Sequence, residues 1–181
     1  WLEETKDFLI FAVADCTGHG VPGAMMSVVC HNALNRSVKE FGLRKPGEIL
    51  DKTREIIVDE LSKNHPDVSD GMDISLCSWD KATNRITWAG ANNPLWIFRG
   101  EEILITNPDK QPVGQFDGAK PFTTHEIQLE ANDWIILFSD GYADQFGGPK
   151  NKKYKYATFR DFIQAHKAKS GPELKQDLKN E

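Results

Sequence analysis

"MDISLCSWDKATNRITWAGANNPLWIFRGEEILI", residues 72–105, decides the fold class. Met72, Ile74 and Leu76 alternate with Asp73, Ser75 and Cys77, the two-residue period of a half-buried strand. "KATN" (81–84) is a hairpin turn and "RITWAGA" (85–91) its partner strand. "NNP" (92–94) turns the chain again, and "LWIFR" and "EEILI" form a hairpin about Gly100.

Outward from this stretch, "PFTTHEIQL" (121–129) reads as a further strand, and "DWIILFSD" (133–140) as a buried strand ending in a carboxylate. Upstream, "FLIFAVAD" (8–15) is a short apolar run that fits a strand buried on both faces. From Ala24 to Phe41, Met25, Val28, Val29, Ala33, Leu34, Val38 and Phe41 recur at helical steps, with Pro22 and Gly23 suited to the first turn. A second helix runs over about 47–63 with Ile49, Leu50, Ile56, Ile57 and Leu61 as its stripe, followed by the polar loop "NHPDVSDG" (64–71). "FRDFIQAHKAK" (159–169) returns to helical spacing, and "SGPELKQDLKNE" (170–181) is a polar helix with no obvious partner after it. Two helices, then a run of strands from 70 to 140, then helix again: this segregation predicts α+β with antiparallel sheet rather than alternating βαβ. Without repeats, low-complexity tracts or a long linker, residues 1–181 are expected to form one domain.

The composition narrows the function classes. A 39% hydrophobic fraction and a mean hydropathy of −0.50 predict a soluble, rather polar chain. A net charge of −5 and a pI near 5.6 give no electrostatic case for nucleic acid or an anionic membrane. No apolar run of ~18 residues predicts a membrane span, and no signal peptide opens the chain. Cys16, Cys30 and Cys77 are odd in number and form no CxxC pair, which fits reduced thiols in a cytoplasmic domain. Trp1 in place of methionine and the polar tail predict a fragment of a longer chain.

Two segments share a grammar. "IFAVAD" ends at Asp15 and "IILFSD" at Asp140; each is an apolar strand that delivers a carboxylate and then turns through glycine. On adjacent central strands the two would converge on a divalent cation, Mg²⁺ or Mn²⁺, which hard oxygen ligands suit. Alternatively each Asp merely caps the next turn. Asp70 and Asp73 of "SDGMDI" either add acidity near such a cleft or sit on a solvated loop and edge strand. Asp144 follows Asp140 by one helical turn, and "GGPKNKKYKY" (147–156) is a basic patch that reads as a solvated flap or as a guide for an acidic or phosphorylated partner.

"VADCTGHGVPGAMMS" (13–27), "WAGANNPLWIF" (88–98) and "ILFSDGYADQF" (136–146), in this order, resemble the SpoIIE/RsbU-like branch of the PPM (type 2C) metal-dependent serine/threonine phosphatases. The resemblance covers nearly the whole chain and implies an α-β-β-α sandwich, two antiparallel sheets face to face with helices outside. It implies two Mn²⁺ or Mg²⁺ ions in a cleft at one end. Asp15 matches the metal-bridging aspartate, Cys16 the position whose backbone carbonyl binds metal, and Asp140 the second metal aspartate. In the implied mechanism a metal-bound water attacks phosphorus and no phosphoenzyme forms. Related enzymes have a histidine assigned as proton donor; His19 is the candidate here, although Asp-Cys-Thr-Gly-His-Gly is two residues longer than the eukaryotic spacing, and a helix-start histidine bonded to backbone is the other reading. "WAGANNPLW", with Ala91 and Asn92 where glycine-histidine often stands, reads as a structural turn.

The resemblance further implies a phosphorylated anti-anti-sigma (STAS-type) protein as substrate, an upstream sensor or coiled-coil region, possible homodimerisation, and regulation through the helix that starts after the Asp15 turn. The family's upstream aspartate and its late aspartate pair fall outside residues 1–181, so these residues alone are expected to be truncated at both ends, to bind metal weakly and to show little activity. The competing function is a degenerate phosphatase fold used for dimerisation or phosphoprotein capture.

Overall fold

The computed structural model describes all residues except 63–69, 148–150, 168, 170 and 181. In chain order the elements are β1 (Leu2–Glu4), β2 (Phe8–Cys16), α1 (Gly20–Lys39), α2 (Pro46–Ser62), β3 (Gly71–Asp80), β4 (Arg85–Ala91), β5 (Leu95–Arg99), β6 (Glu102–Thr106), β7 (Val113–Gly114), β8 (His125–Gln128), β9 (Trp134–Ile136), β10 (Phe146–Gly147), β11 (Lys152–Lys153), α3 (Lys155–His166) and α4 (Gly171–Asn180). Most of the polar loop 64–71 lies outside the described residues.

Two antiparallel sheets build the domain. The first runs β1-β2-β3-β4-β8, with β7 on the end of β3; the second runs β6-β5-β9. Side chains that alternate along each strand feed different cores. Ile10 and Ala12 of β2, and Met72, Ile74 and Leu76 of β3, pack with Met26, Leu34, Ile49 and Ile57 of α1 and α2. Cys77, Ile86, Trp88, Leu95 and Ile97 fill the space between the sheets. Trp96 and Phe98 of β5 pack outward on Phe159 and Ile163 of α3 and Leu174 of α4. The layers are therefore helices, sheet, sheet, helices, the expected α-β-β-α sandwich, with one apolar core in each of its three interfaces.

That arrangement corrects the reading of β3 as half-buried. Ser75 and Cys77 are as fully enclosed as Ile74 and Leu76, because the second sheet covers the face that alternation assigned to solvent. Two strands are shorter than their apolar runs. β8 begins only at His125 because residues 122–124 bond elsewhere than to a ladder: Gly47 N–H donates to Thr124 Oγ1 at 2.9 Å, Phe122 N–H to the Asp51 carboxylate at 3.2 Å, and Thr123 N–H to the Asp109 carboxylate at 2.8 Å. Pairing in β9 stops at Ile136, although Leu137 and Phe138 continue to alternate between the cores on the two faces of the second sheet. The polar tail does find a partner: Leu174 is 8% exposed, and Tyr142 Oη donates to Leu178 O at 2.9 Å. Among the described residues the three cysteines are free thiols, and no helix is long and apolar enough to cross a membrane.

Candidate active site

The site forms where the two sheets meet. β2 delivers Asp15 near its end, and the antiparallel register sets it directly opposite Asp73 near the start of β3. Asp140 comes from the other sheet, four residues beyond the last residue of β9, in a turn closed by Asp144 N–H donating to Asp140 O at 2.8 Å. The expectation that Asp15 and Asp140 stand on adjacent strands is thus corrected: both end apolar runs, but one run belongs to each sheet. Asp15, Cys16, Thr17, Asp73, Asn93 and Asp140 line one cleft of about 180 Å³.

The turn after Asp15 is built by glycine. Gly18 has φ +87°, a conformation L side chains rarely adopt, and its carbonyl oxygen lies 2.6 Å from where a Cβ on Gly23 would stand. The loop is thereby clamped onto the first turn of α1, where Pro22 needs no N–H partner. Thr17 closes the other side: its N–H donates to Gly71 O at 3.0 Å and its hydroxyl to the Asp70 carboxylate at 3.1 Å. Asp70 is therefore spent on the loop, while Asp73 enters the cleft.

Asp73 is oriented from the β4–β5 turn. Asn92, in the left-handed region at φ +58°, donates Nδ2–H to Asp73 Oδ1 at 2.8 Å. The next residue, Asn93, is 5% exposed, and its Nδ2 has no hydrogen-bond partner among the described residues. An unpaired buried donor costs about 1–3 kcal/mol. The sequence reads "WAGANNPLW" as a structural turn only; the structure adds that it places two amides beside the carboxylates.

The electrostatics suit a cation. Asp140 is held above the usual carboxylate range, first by desolvation in the cleft walls and then by the negative charges of Asp144, Asp15 and Asp73, with Lys153 opposing. Lys153 itself is engaged by Asp144 at 2.7 Å. Tyr156 is raised by burial and then by the charges of Asp140, Asp144 and Asp73. Three carboxylates around one cleft fit a hard divalent cation and disfavour a bare anion. Among the described residues no three His, Cys, Asp or Glu side chains are already grouped closely enough to hold a metal ion, so the carboxylates line an open cleft rather than a closed cage.

His19 does not line this cleft. It is the exposed N-cap residue of α1, makes no side-chain cap bond, and lines a neighbouring cleft of about 340 Å³ with Asp15, Cys16, Ser27 and His31. The Cys16 thiol is lowered to about 7 by hydrogen bonds from Cys30 and Ser27, against burial and the Asp15 charge. The basic patch becomes an exposed ribbon, β10 paired with β11, whose residues 148–150 lie outside the described ones.

Two facing sheets, flanking helices and carboxylates meeting at their seam define the class: a domain of the PP2C phosphatase fold. The SiaA-PP2C domain of Pseudomonas aeruginosa superposes with a TM-score of 0.87 at 27% identity, over 98% of this chain and 69% of that one. The PP2C phosphatase domain of SpoIIE from Bacillus subtilis, solved with a fragment of its regulatory domain, gives a TM-score of 0.76 at 16% identity, and this chain spans 51% of its length. RsbX in complex with magnesium gives 0.67 at 16% identity, over 99% of this chain and 76% of that one. No curated protein sequence matches. The family model of stage II sporulation protein E (SpoIIE) matches residues 5–181, and the chain belongs to that family.

Proposed function

We propose that this domain is a metal-dependent protein serine/threonine phosphatase that hydrolyses phosphoserine or phosphothreonine on a regulatory protein of the STAS anti-anti-sigma type. The observation that carries the proposal is the meeting of Asp15, Asp73 and Asp140 in one cleft, with Asp140 raised first by desolvation and then by its neighbours' charge. Asp15, Asp140 and the Cys16 backbone carbonyl are the proposed ligands for Mn²⁺ or Mg²⁺, two ions in the complete site, with Asp73 sharing their charge. RsbX, of the same fold, was solved with magnesium. A cation held by these residues would supply an activated water and neutralise charge on the phosphoryl oxygens.

The protein's own residues set up that chemistry. Asn92 fixes the Asp73 carboxylate, the Gly18–Gly23 clamp fixes the Asp15 turn, and the Asp140 turn is tied to Lys153 through Asp144. Because α1 begins five residues after Asp15, a shift of α1 would move Asp15 and Cys16, and this helix is the proposed route for control by an upstream sensor or coiled-coil region. His19 is the proposed proton donor, for a substrate that spans its cleft and the carboxylate cleft across the Asp15 and Cys16 that line both.

A specific observation supports the second reading, a degenerate module for dimerisation or phosphoprotein capture: the described residues hold no ready-made metal cage. One experiment separates the two. In the full-length protein, Asp15→Asn and Asp140→Asn should each abolish Mn²⁺-dependent phosphate release from a phosphoprotein. An inactive parent would favour the module; unaffected variants would sink the site.

A further inference from the structure

Asn93 is the polar group of the cleft that the site so far leaves unused. Among the described residues, the buried side-chain polar atoms without a partner are Asn93 Nδ2 and Gln164 Oε1, and Gln164 stands on α3, outside the second sheet. Asn93 lines the same cleft as Asp15, Asp73 and Asp140, yet its N–H is taken up by none of their oxygens.

Its position is fixed from several sides. Asn93 N–H donates to Ala91 O at 2.7 Å. The next carbonyl, Pro94 O, accepts from Ser75 Oγ at 3.2 Å, and Ser75 Oγ itself accepts from Trp88 Nε1 at 2.8 Å. Gly90 leaves no room for a side chain: a Cβ there would lie 2.5 Å from Asn93 O and 2.4 Å from the Trp88 ring. The backbone of Asn93 is thus held from several sides, and its side-chain donor is desolvated, the setting in which a donor is worth most to a charge that develops beside it.

The chemistry of the ligand follows from the neighbours. An N–H needs an acceptor, and the cleft that Asn93 lines is bounded by carboxylates. A lysine or arginine there would pair with the aspartates and compete with a cation. A neutral amide does not, so it is free to donate to an oxygen that arrives with the substrate. The geometry assigns Asn93 as a catalytic residue whose side-chain N–H donates to a phosphoryl oxygen of the bound phosphomonoester. This assignment rests on the phosphatase reading above.

The test uses the full-length protein with Mn²⁺ and p-nitrophenyl phosphate. Asn93→Leu removes the amide at similar volume, and Asn93→Ala guards against misfit of the leucine. Each should lower kcat/KM by about 10- to 100-fold, as loss of one preorganised donor does. The Mn²⁺ Kd should stay within about threefold of the parent, because the carboxylates are intact. The metal-free Tm of Asn93→Leu should equal or exceed the parent's, since an unsatisfied donor has been removed. Unchanged kcat/KM in both variants overturns the assignment. So does a Tm that falls with activity in both, which makes Asn93 structural, or a Kd for Mn²⁺ that rises about tenfold, which makes it a metal ligand. A parent without Mn²⁺-dependent hydrolysis overturns the phosphatase reading itself, and with it this assignment, an outcome visible before any variant is made.

Discussion

Asp15 and Asp73 face each other across β2 and β3 in direct antiparallel register. Like charges so placed repel one another across a ladder. The sheet accepts this pair at the seam where Asp140 arrives from the second sheet, and Asn92 steadies one member of it through a 2.8 Å hydrogen bond.

Asp73→Asn should therefore act in opposite directions on stability and on metal. Without metal, removing one of the facing charges raises Tm. With metal, the Mn²⁺ Kd rises by about tenfold or more, in the range expected when a group supporting a metal site is lost. Differential scanning fluorimetry and calorimetric titration give the two numbers; an unchanged Kd removes Asp73 from the site.

Asp140 gives a pH dependence with a definite sign. Its folded-state pKa lies above the ordinary carboxylate value, so the folded protein keeps that proton to higher pH than the unfolded chain does. In the window upward from about pH 4, folded molecules bind more protons, and this group's contribution to metal-free stability falls as pH rises. Asp140→Asn should flatten that part of the Tm profile relative to the parent. For the parent, apparent Mn²⁺ affinity should climb through the same window, because the cation displaces the proton.

Gly23→Ala tests the clamp between the Asp15 loop and α1. The added methyl would meet the Gly18 carbonyl oxygen at 2.6 Å, backbone against backbone. Overpacking of this kind destabilises by about 1–3 kcal/mol. Urea denaturation should show the loss, and Mn²⁺ should bind more weakly because the displaced loop carries Asp15 and Cys16. A variant with the parent's stability and affinity would show that the loop relaxes without moving the carboxylate.

Leu174→Ala tests the anchoring of the last helix. Leu174 is buried among Phe138, Phe159 and Ile163. Truncation should cost about 2–4 kcal/mol in chemical denaturation. Since Tyr142, two residues from Asp140, donates to Leu178 O, proteolysis should also accelerate within 140–154. Loss confined to α4 would mean that the helix is an ornament on the sheet.

Strand and helix positions were legible because periodicity reports local burial. The sheet to which each strand belongs was not, since "IFAVAD" and "IILFSD" carry the same grammar yet lie in different sheets. Asp73 was open to two readings because entry into the cleft depends on register with β2, a long-range fact. Asn93 was invisible as a functional residue: an asparagine in a turn is ordinary, and only the covering second sheet makes its unpaired N–H unusual. His19 attracted notice through its glycine neighbours, but its place at the helix N-cap turns it to a different cleft.

Asp15 and Asp140 stand 125 positions apart in the chain, on opposite leaves of the sandwich. A cation gripped by both would be a removable cross-link, closing a loop of that length much as a disulfide does and lost as readily as a chelator can reach it. The apolar core between the leaves holds them together without the ion, so ion occupancy would add to that grip at the seam as well as arm the cleft.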